Sequence, residues 1–248
     1  MGIDYDVAEG VHLLSSAYVN CYLVEGEGGL TLVDAGLPRM WPLLVEAVAR
    51  LGRELADVKA LLVTHGHFDH LGFAKRLHQK NQVPVIVHPD DRTLVASPYS
   101  YRPQRNRFLY LLSHPGGWGP IGRMAVAGAL TVEGVEETEA LKAGVPLDVP
   151  GSPVAIATPG HTAGHCGFLL RDRDVVLAGD ALVTFDPYTG RSGPQIVATA
   201  ATSDADQAMA SLDALAQTGV RTVLTGHGDP WRNDVGRAVD IARHTGIH

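Results

Sequence analysis

A four-layer α/β/β/α sandwich, two mixed sheets face to face with helices outside, is the α/β fold this sequence predicts. Three observations carry the prediction. Short apolar runs bounded by glycine turns fill the chain up to Asp34. Helical and strand patterns then alternate as far as the segment after His88. A comparable series returns from Leu147 onward, and no low-complexity linker separates the two series. The 248 residues therefore read as a single domain, 1–248.

The elements follow in order. Gly10–Leu14, Val19–Val24 and Thr31–Asp34 read as strands, with Gly28-Gly29 turning the chain between the second and third. Leu43, Leu44, Ala47, Val48 and Leu51 make a helical stripe that Gly52 stops. Val58–Val63 is a buried strand, and Leu71, Ala74, Leu77 and His78 carry helical spacing after it. Val83–His88 is a further strand, and Pro89-Asp90-Asp91 opens a helix with proline in its first turn. Strands are expected at Leu147–Val149, Val154–Thr158, Cys166–Leu170 and Val175–Ala178, the last two joined by a turn at 171–174. Asp206–Leu215 is an amphipathic helix capped by Ser203 or Asp204, Val220–Thr225 a strand, and Val235–His244 a closing helix.

Between 97 and 134 the periodicity breaks down. Tyr99, Tyr101, Phe108, Tyr110, Trp118 and Met124 are scattered among Pro and Gly. A stretch of this length is either a lid over a site or a pair of surface helices packed by aromatics.

The densest chemistry is Thr64-His65-Gly66-His67-Phe68-Asp69-His70, between the end of one strand and the start of a helix. On an extended backbone His65 and His67 point to one side, because side chains alternate. Asp69 and His70, beyond the turn, reach a second position close by. Three imidazoles and a carboxylate suit zinc, iron or manganese. Three further loops each follow an expected strand and offer a donor: His161 in Pro159-Gly160-His161, Asp180 in Gly179-Asp180-Ala181, and His227 in Gly226-His227-Gly228. Strand ends on one edge of a sandwich share a rim, so these donors converge.

His65-x-His67-x-Asp69-His70 followed by His161, Asp180 and His227 resembles the metallo-β-lactamase-fold hydrolase superfamily, in motif order over nearly the whole chain. The resemblance implies a dinuclear centre, two Zn²⁺ by default, with iron or manganese as substitutes. His65, His67 and His161 would hold one metal and Asp69, His70 and His227 the other, with Asp180 bridging them. Asp34, in Leu32-Val33-Asp34-Ala35-Gly36, looks like the family's early motif and would orient a ligating histidine. The implied chemistry is hydrolysis of a small ester, thioester or lactone by a hydroxide shared between metals roughly 3.5–4 Å apart. Asp69 would serve as the catalytic proton carrier.

Departures from subgroup patterns narrow this reading. Resembling lactonases often carry a Tyr three residues after the bridging Asp; here Val183 stands there and Tyr188 lies later. Asp180 matches the glyoxalase II arrangement and argues against the dedicated β-lactamases. No added basic C-terminal helical region for glutathione follows His227. The alternatives are an iron-dependent oxidoreductase of the sulfur-dioxygenase type, and β-lactamase or phosphodiesterase activity on the same fold. A non-enzymatic protein with a structural metal is a third reading, disfavoured because such sites are usually closed four-ligand cages.

The remaining histidines get quieter roles. His165 is expected beside the site, His88 as a structural residue, and His12, His78, His114, His244 and His248 at the surface. Cys21 and Cys166 sit in apolar strands and are read as small hydrophobes. With two cysteines and an acidic start lacking a basic-then-apolar leader, a cytoplasmic setting is expected. A formal charge of −7 argues against nucleic acid as a partner, and no apolar run is long enough for a membrane span. The expected partner is a small-molecule substrate chosen by the lid, where Arg102, Arg105 or Arg107 would meet a carboxylate or, more commonly for surface arginines, stay solvated. The aromatic lid leaves a homo-oligomer contact open.

Overall fold

The computed structural model describes all 248 residues. Strands β1 (Gly2–Ala8), β2 (Val11–Ser16), β3 (Val19–Gly26) and β4 (Gly29–Val33) form an antiparallel meander. Helix α1 (Trp41–Arg50) carries the chain to β5 (Val58–Leu62), and α2 (Ala74–Asn81) carries it to β6 (Val85–Val87). Both strands add in parallel to the meander. After α3 (Arg92–Ala96), α4 (Arg107–Ser113) and α5 (Trp118–Val126), the short β7 (Glu139–Ala140) completes a seven-stranded sheet in sequence order. The second half contains β8 (Val154–Ala157), β9 (Cys166–Leu170), β10 (Val175–Gly179) and a separate hairpin of β11 (Val183–Asp186) and β12 (Arg191–Gln195). Helix α6 (Ala205–Ala216), β13 (Thr222–Thr225) and α7 (Val235–Thr245) follow, giving a four-stranded sheet in the order β13-β10-β9-β8.

Period-two alternation explains the four layers. In β3, Val19, Cys21 and Leu23 pack with α1 and α2, while Tyr22 and Val24 face the second sheet. In β10, Val175 and Leu177 face the first sheet, while Val176 and Ala178 pack with α6 and α7. Strands buried on both faces read as continuous apolar runs, which is why β3, β5 and β10 are plain in the sequence. The expected α/β/β/α sandwich is the fold observed.

The topology also aims the loops. β8, β10 and β13 run in one direction, because β9 is antiparallel to both β8 and β10 while β13 is parallel to β10. β4 and β5 are parallel in the first sheet. The segments after β4, β5, β8, β10 and β13 meet at one edge of the sandwich, as the hydrogen bonds below show.

Some local expectations differ. The acidic N-terminus forms edge strand β1, whose Asp4 and Asp6 are the charges an exposed edge tolerates. Leu147–Val149 is not a strand: prolines at 146 and 150 frame it, and its neighbourhood makes only the bridge between Pro146 and Val154. Hairpin β11–β12 was not anticipated. His12 is buried rather than at the surface, bonded to Glu25 (3.1 Å) and accepting from the Asp6 amide. His248 is only partly exposed and lies 3.6 Å from Asp186. Region 97–134 holds two helices packed partly by aromatics, and it also covers the site: the Tyr101 ring lies tilted against the His67 ring, centroids 4.1 Å apart, and Gly117 abuts the Tyr188 backbone.

Candidate metal centre

Each of the seven expected donors is buried, and all seven lie together. Donor atoms of His65, His67 and His161 lie within 4.8 Å of one another, as do those of Asp69, His70 and His227, and those of His65, His70 and Asp180. Asp180 stands between the groups: its carboxylate is 3.4 Å from His161 Nε2, 3.9 Å from His65 Nε2, 3.5 Å from His70 Nε2 and 3.2 Å from His227 Nε2. Asp69 lies 3.4 Å from His227. One carboxylate faces histidines from both groups.

The backbone is shaped to permit this. A Cβ on Gly226 would sit 2.1 Å from Asp180 Oδ1, so only glycine fits beside that carboxylate. Gly179 has φ +52°, and a Cβ there would press on Thr64 and His165.

The far nitrogen of most of these histidines is tied down, which sets the tautomer. His70 Nδ1 donates to Asp34 Oδ2 (2.8 Å), and Asp34 also accepts from the Thr64 amide and hydroxyl, both at 2.8 Å. Because the Thr64 hydroxyl donates to Asp34, it accepts from His65 Nδ1 (3.1 Å). His161 Nδ1 donates to Thr202 Oγ1 (3.1 Å), whose proton goes to the Val197 carbonyl. His227 Nδ1 donates to the Tyr18 carbonyl (2.7 Å). Four Nε2 lone pairs are thereby turned inward. Asp34 orients His70 as the sequence suggested. His165 supports the site from behind, accepting from the Asp180 amide (3.0 Å) and bonding Thr158.

The donor set fits cations. His65 Nε2, His70 Nε2 and Asp180 Oδ1 are buried with no hydrogen-bond partner, an arrangement that is costly unless something else binds them. His161 Nε2 faces His67 Nδ1 at 3.0 Å. The electrostatics point the same way. Burial, reinforced by neighbouring imidazoles, pushes His65 well below the usual range and His67, His161 and His165 down to about 3. Burial also opposes charge on His70 and His227, but Asp180 outweighs it. Asp34 at His70 and Asp69 at His227 add to this, so His70 rises well above its usual value and His227 to about 10. Asp180, despite burial, is held well below the carboxylate range by His227 and His70.

A cavity of about 20 Å³ adjoins Asp180, His67, His161, Asp69 and His227, room for about one water. The rest of its wall is apolar apart from the hydroxyls of Tyr101 and Tyr188, which lie 3.4 Å apart. Tyr188 stands at the wall although Val183 occupies the position that resembling lactonases give to Tyr. Arg107 lies over the Tyr101 ring at 4.4 Å, while Arg102 and Arg105 are exposed. The cysteines are buried and free, and neither belongs to a donor group. Sequence reasoning missed the supporting roles of Tyr18, Thr202 and Asp91. Asp91 signalled only a helix start, yet it is buried and accepts from Gly66, Thr162 and Gly164.

Comparison with known proteins places the chain in a family. Residues 16–227 match the family model of the metallo-beta-lactamase superfamily. The probable metallo-hydrolase YflN of Bacillus subtilis is 29% identical over 242 residues, covering 92% of this chain and 88% of YflN. The N-acyl homoserine lactonase AttM of Rhizobium radiobacter is 28% identical, covering 94% and 86%. The metallo-beta-lactamase family protein TTHA1429 from Thermus thermophilus superposes with a TM-score of 0.69 at 27% identity, over 96% of this chain and 79% of that one. TTHA1623, solved in a di-iron-bound form, gives 0.62 at 25% identity, over 90% and 93%. The protein is a metal-binding hydrolase by kinship, and the chain belongs to the metallo-beta-lactamase superfamily.

Proposed function

We propose that this protein is a dinuclear zinc hydrolase that opens a small lactone or cleaves a related ester or thioester with an apolar acyl group. The observation that carries the proposal is Asp180, whose carboxylate lies within 3.9 Å of histidines from both donor groups, beside a cavity. His65, His67 and His161 would hold one metal and Asp69, His70 and His227 the other, with Asp180 shared. Metals held there would supply Lewis acidity and activate water for attack near neutral pH.

The chain's own groups do the rest. Asp69 borders the cavity and would take a proton and hand it to the leaving oxygen. Tyr101 and Tyr188 are the hydroxyl donors on the wall, and burial raises both above the usual phenol range, so they remain protonated donors at neutral pH. They would donate to the substrate's carbonyl oxygen or to the leaving oxygen. Phe68, Met124, Pro187, Val197 and Ala201 offer only apolar contact, which suits an acyl chain. Since about 20 Å³ cannot admit such a chain, the wall that Tyr101 and Met124 contribute would move aside for substrate to enter. Kinship with a lactonase, AttM, supports lactones as the first class to try.

The test is a panel of lactones, thioesters, aryl esters, β-lactams and phosphodiesters, run with elemental analysis of protein purified without added metal. Zinc with turnover of lactone, ester or thioester is the expected result. Iron with oxygen uptake would favour an oxidoreductase of the sulfur-dioxygenase type; iron as the metal is kept in view by TTHA1623, which was solved in a di-iron-bound form.

A further inference from the structure

Each donor group draws on both halves of the chain. His65 and His67 come from the loop after β5, but His161 follows β8. Asp69 and His70 come from that same first loop, but His227 follows β13. Both positions therefore straddle the seam between the sheets. Donor atoms must hold their mutual geometry to about half an ångström, so each seam needs its own tie.

Asp91 ties the first seam. It lies at the start of α3 and belongs to no donor group. Its Oδ2 accepts from the Gly66 amide (2.9 Å) and the Thr162 hydroxyl (2.7 Å), and its Oδ1 accepts from the Gly164 amide (2.8 Å). Gly66 separates His65 from His67, and Thr162 follows His161. One side chain thus holds the three histidines of the first group through their neighbours. It makes no salt bridge, so three converging donors are what keep the buried carboxylate in place.

Different residues of β3 tie the second seam. Tyr22 Oη donates to the Thr225 carbonyl (2.7 Å), and Asn20 Nδ2 donates to the carbonyls of Thr225 (3.0 Å) and Gly228 (2.7 Å). The Asn20 amide donates to the Gly226 carbonyl (2.9 Å). These bonds bracket His227 on both sides and make no contact with the His161 loop.

We infer that Asp91 and the Asn20–Tyr22 pair are positioning residues that set the two metal positions separately, Asp91 the three-histidine position and Asn20–Tyr22 the Asp69–His70–His227 position. The inference rests on the dinuclear reading above.

Cobalt(II) loading of the full chain tests it without turnover. Shifted exchangeable imidazole N–H resonances report each position: three histidines belong to the first, two to the second. In Asp91→Asn an amide N–H replaces one acceptor, so one cobalt equivalent should weaken by about tenfold or more. At one equivalent only the two-histidine set should appear. Thr162→Val deletes a single bond and should move the same equivalent by less, which keeps the test valid if Asp91→Asn folds poorly. Tyr22→Phe should weaken the other equivalent and spare the three-histidine set. Equal weakening of both equivalents in Asp91→Asn and Thr162→Val, or no change in either, overturns the inference. Uptake of one cobalt by the unmodified protein overturns the dinuclear reading, and the inference with it.

Discussion

Replacing Asp34 by Asn probes how the cluster is oriented. The carboxylate accepts three protons at 2.8 Å: the Thr64 amide on Oδ1, and the Thr64 hydroxyl and His70 Nδ1 on Oδ2. An amide that keeps its oxygen towards the Thr64 amide must turn its NH₂ towards His70. His70 Nδ1–H then faces another donor, and relief requires moving the proton to Nε2, the atom 3.5 Å from Asp180. That is the atom needed for a metal. The loss of the charge-assisted bond should cost about 1.5–3 kcal/mol of stability. Affinity at the second position should fall about 10–100-fold, or about 1.4–2.7 kcal/mol. Competition titration against a zinc chelator reads the affinity, and thermal melting with and without chelator reads the stability. Two equivalents bound as tightly as in the unmodified protein would refute the reasoning, because His70 would then not depend on Asp34 for its tautomer.

Other perturbations test other parts of the account. Tyr188→Phe and Tyr101→Phe should each lower kcat by up to about 100–1,000-fold while leaving metal content unchanged by elemental analysis. Gly226→Ala puts a Cβ 2.1 Å from Asp180 Oδ1 and should expel that carboxylate, so metal uptake falls while circular dichroism stays close to native. The metal-free protein should be most stable near neutrality. His65, His67, His161 and His165 are depressed, so the stability they contribute is present above the unfolded histidine value and is lost as pH falls, for His67, His161 and His165 towards about 3. His70 and His227 are raised, so theirs is present below that value and is lost as pH rises, for His227 through about 10. Melting curves of chelated protein should fall on both sides, and metal should remove the alkaline decline, since bound histidines are already neutral.

The parts legible in the sequence were those with a local signature. β3, β5 and β10 are buried on both faces and so appear as apolar runs, and the donors after β5, β8, β10 and β13 sit where those runs stop. Asp34 was legible through the resemblance of Leu32-Val33-Asp34-Ala35-Gly36 to the family's early motif. Asp91 was not: a carboxylate after proline at a helix start is normally a solvated cap, and its three donors come from loops distant in sequence. Tyr18 contributes a backbone carbonyl, which no side-chain pattern encodes. The placement of α4 and α5 over the site depends on contacts such as Gly117 against Tyr188, which periodicity cannot register. His12 looked like a surface residue because its partners, Glu25 and the Asp6 backbone, lie on other segments.

The central claim is that Asp180 joins two metal positions, and anomalous scattering from crystals of the metal-loaded protein tests it most directly. The account predicts two peaks roughly 3.5–4 Å apart, one against His65, His67 and His161, the other against Asp69, His70 and His227, with Asp180 touching both. A single peak, or a pair that leaves Asp180 outside, would contradict it.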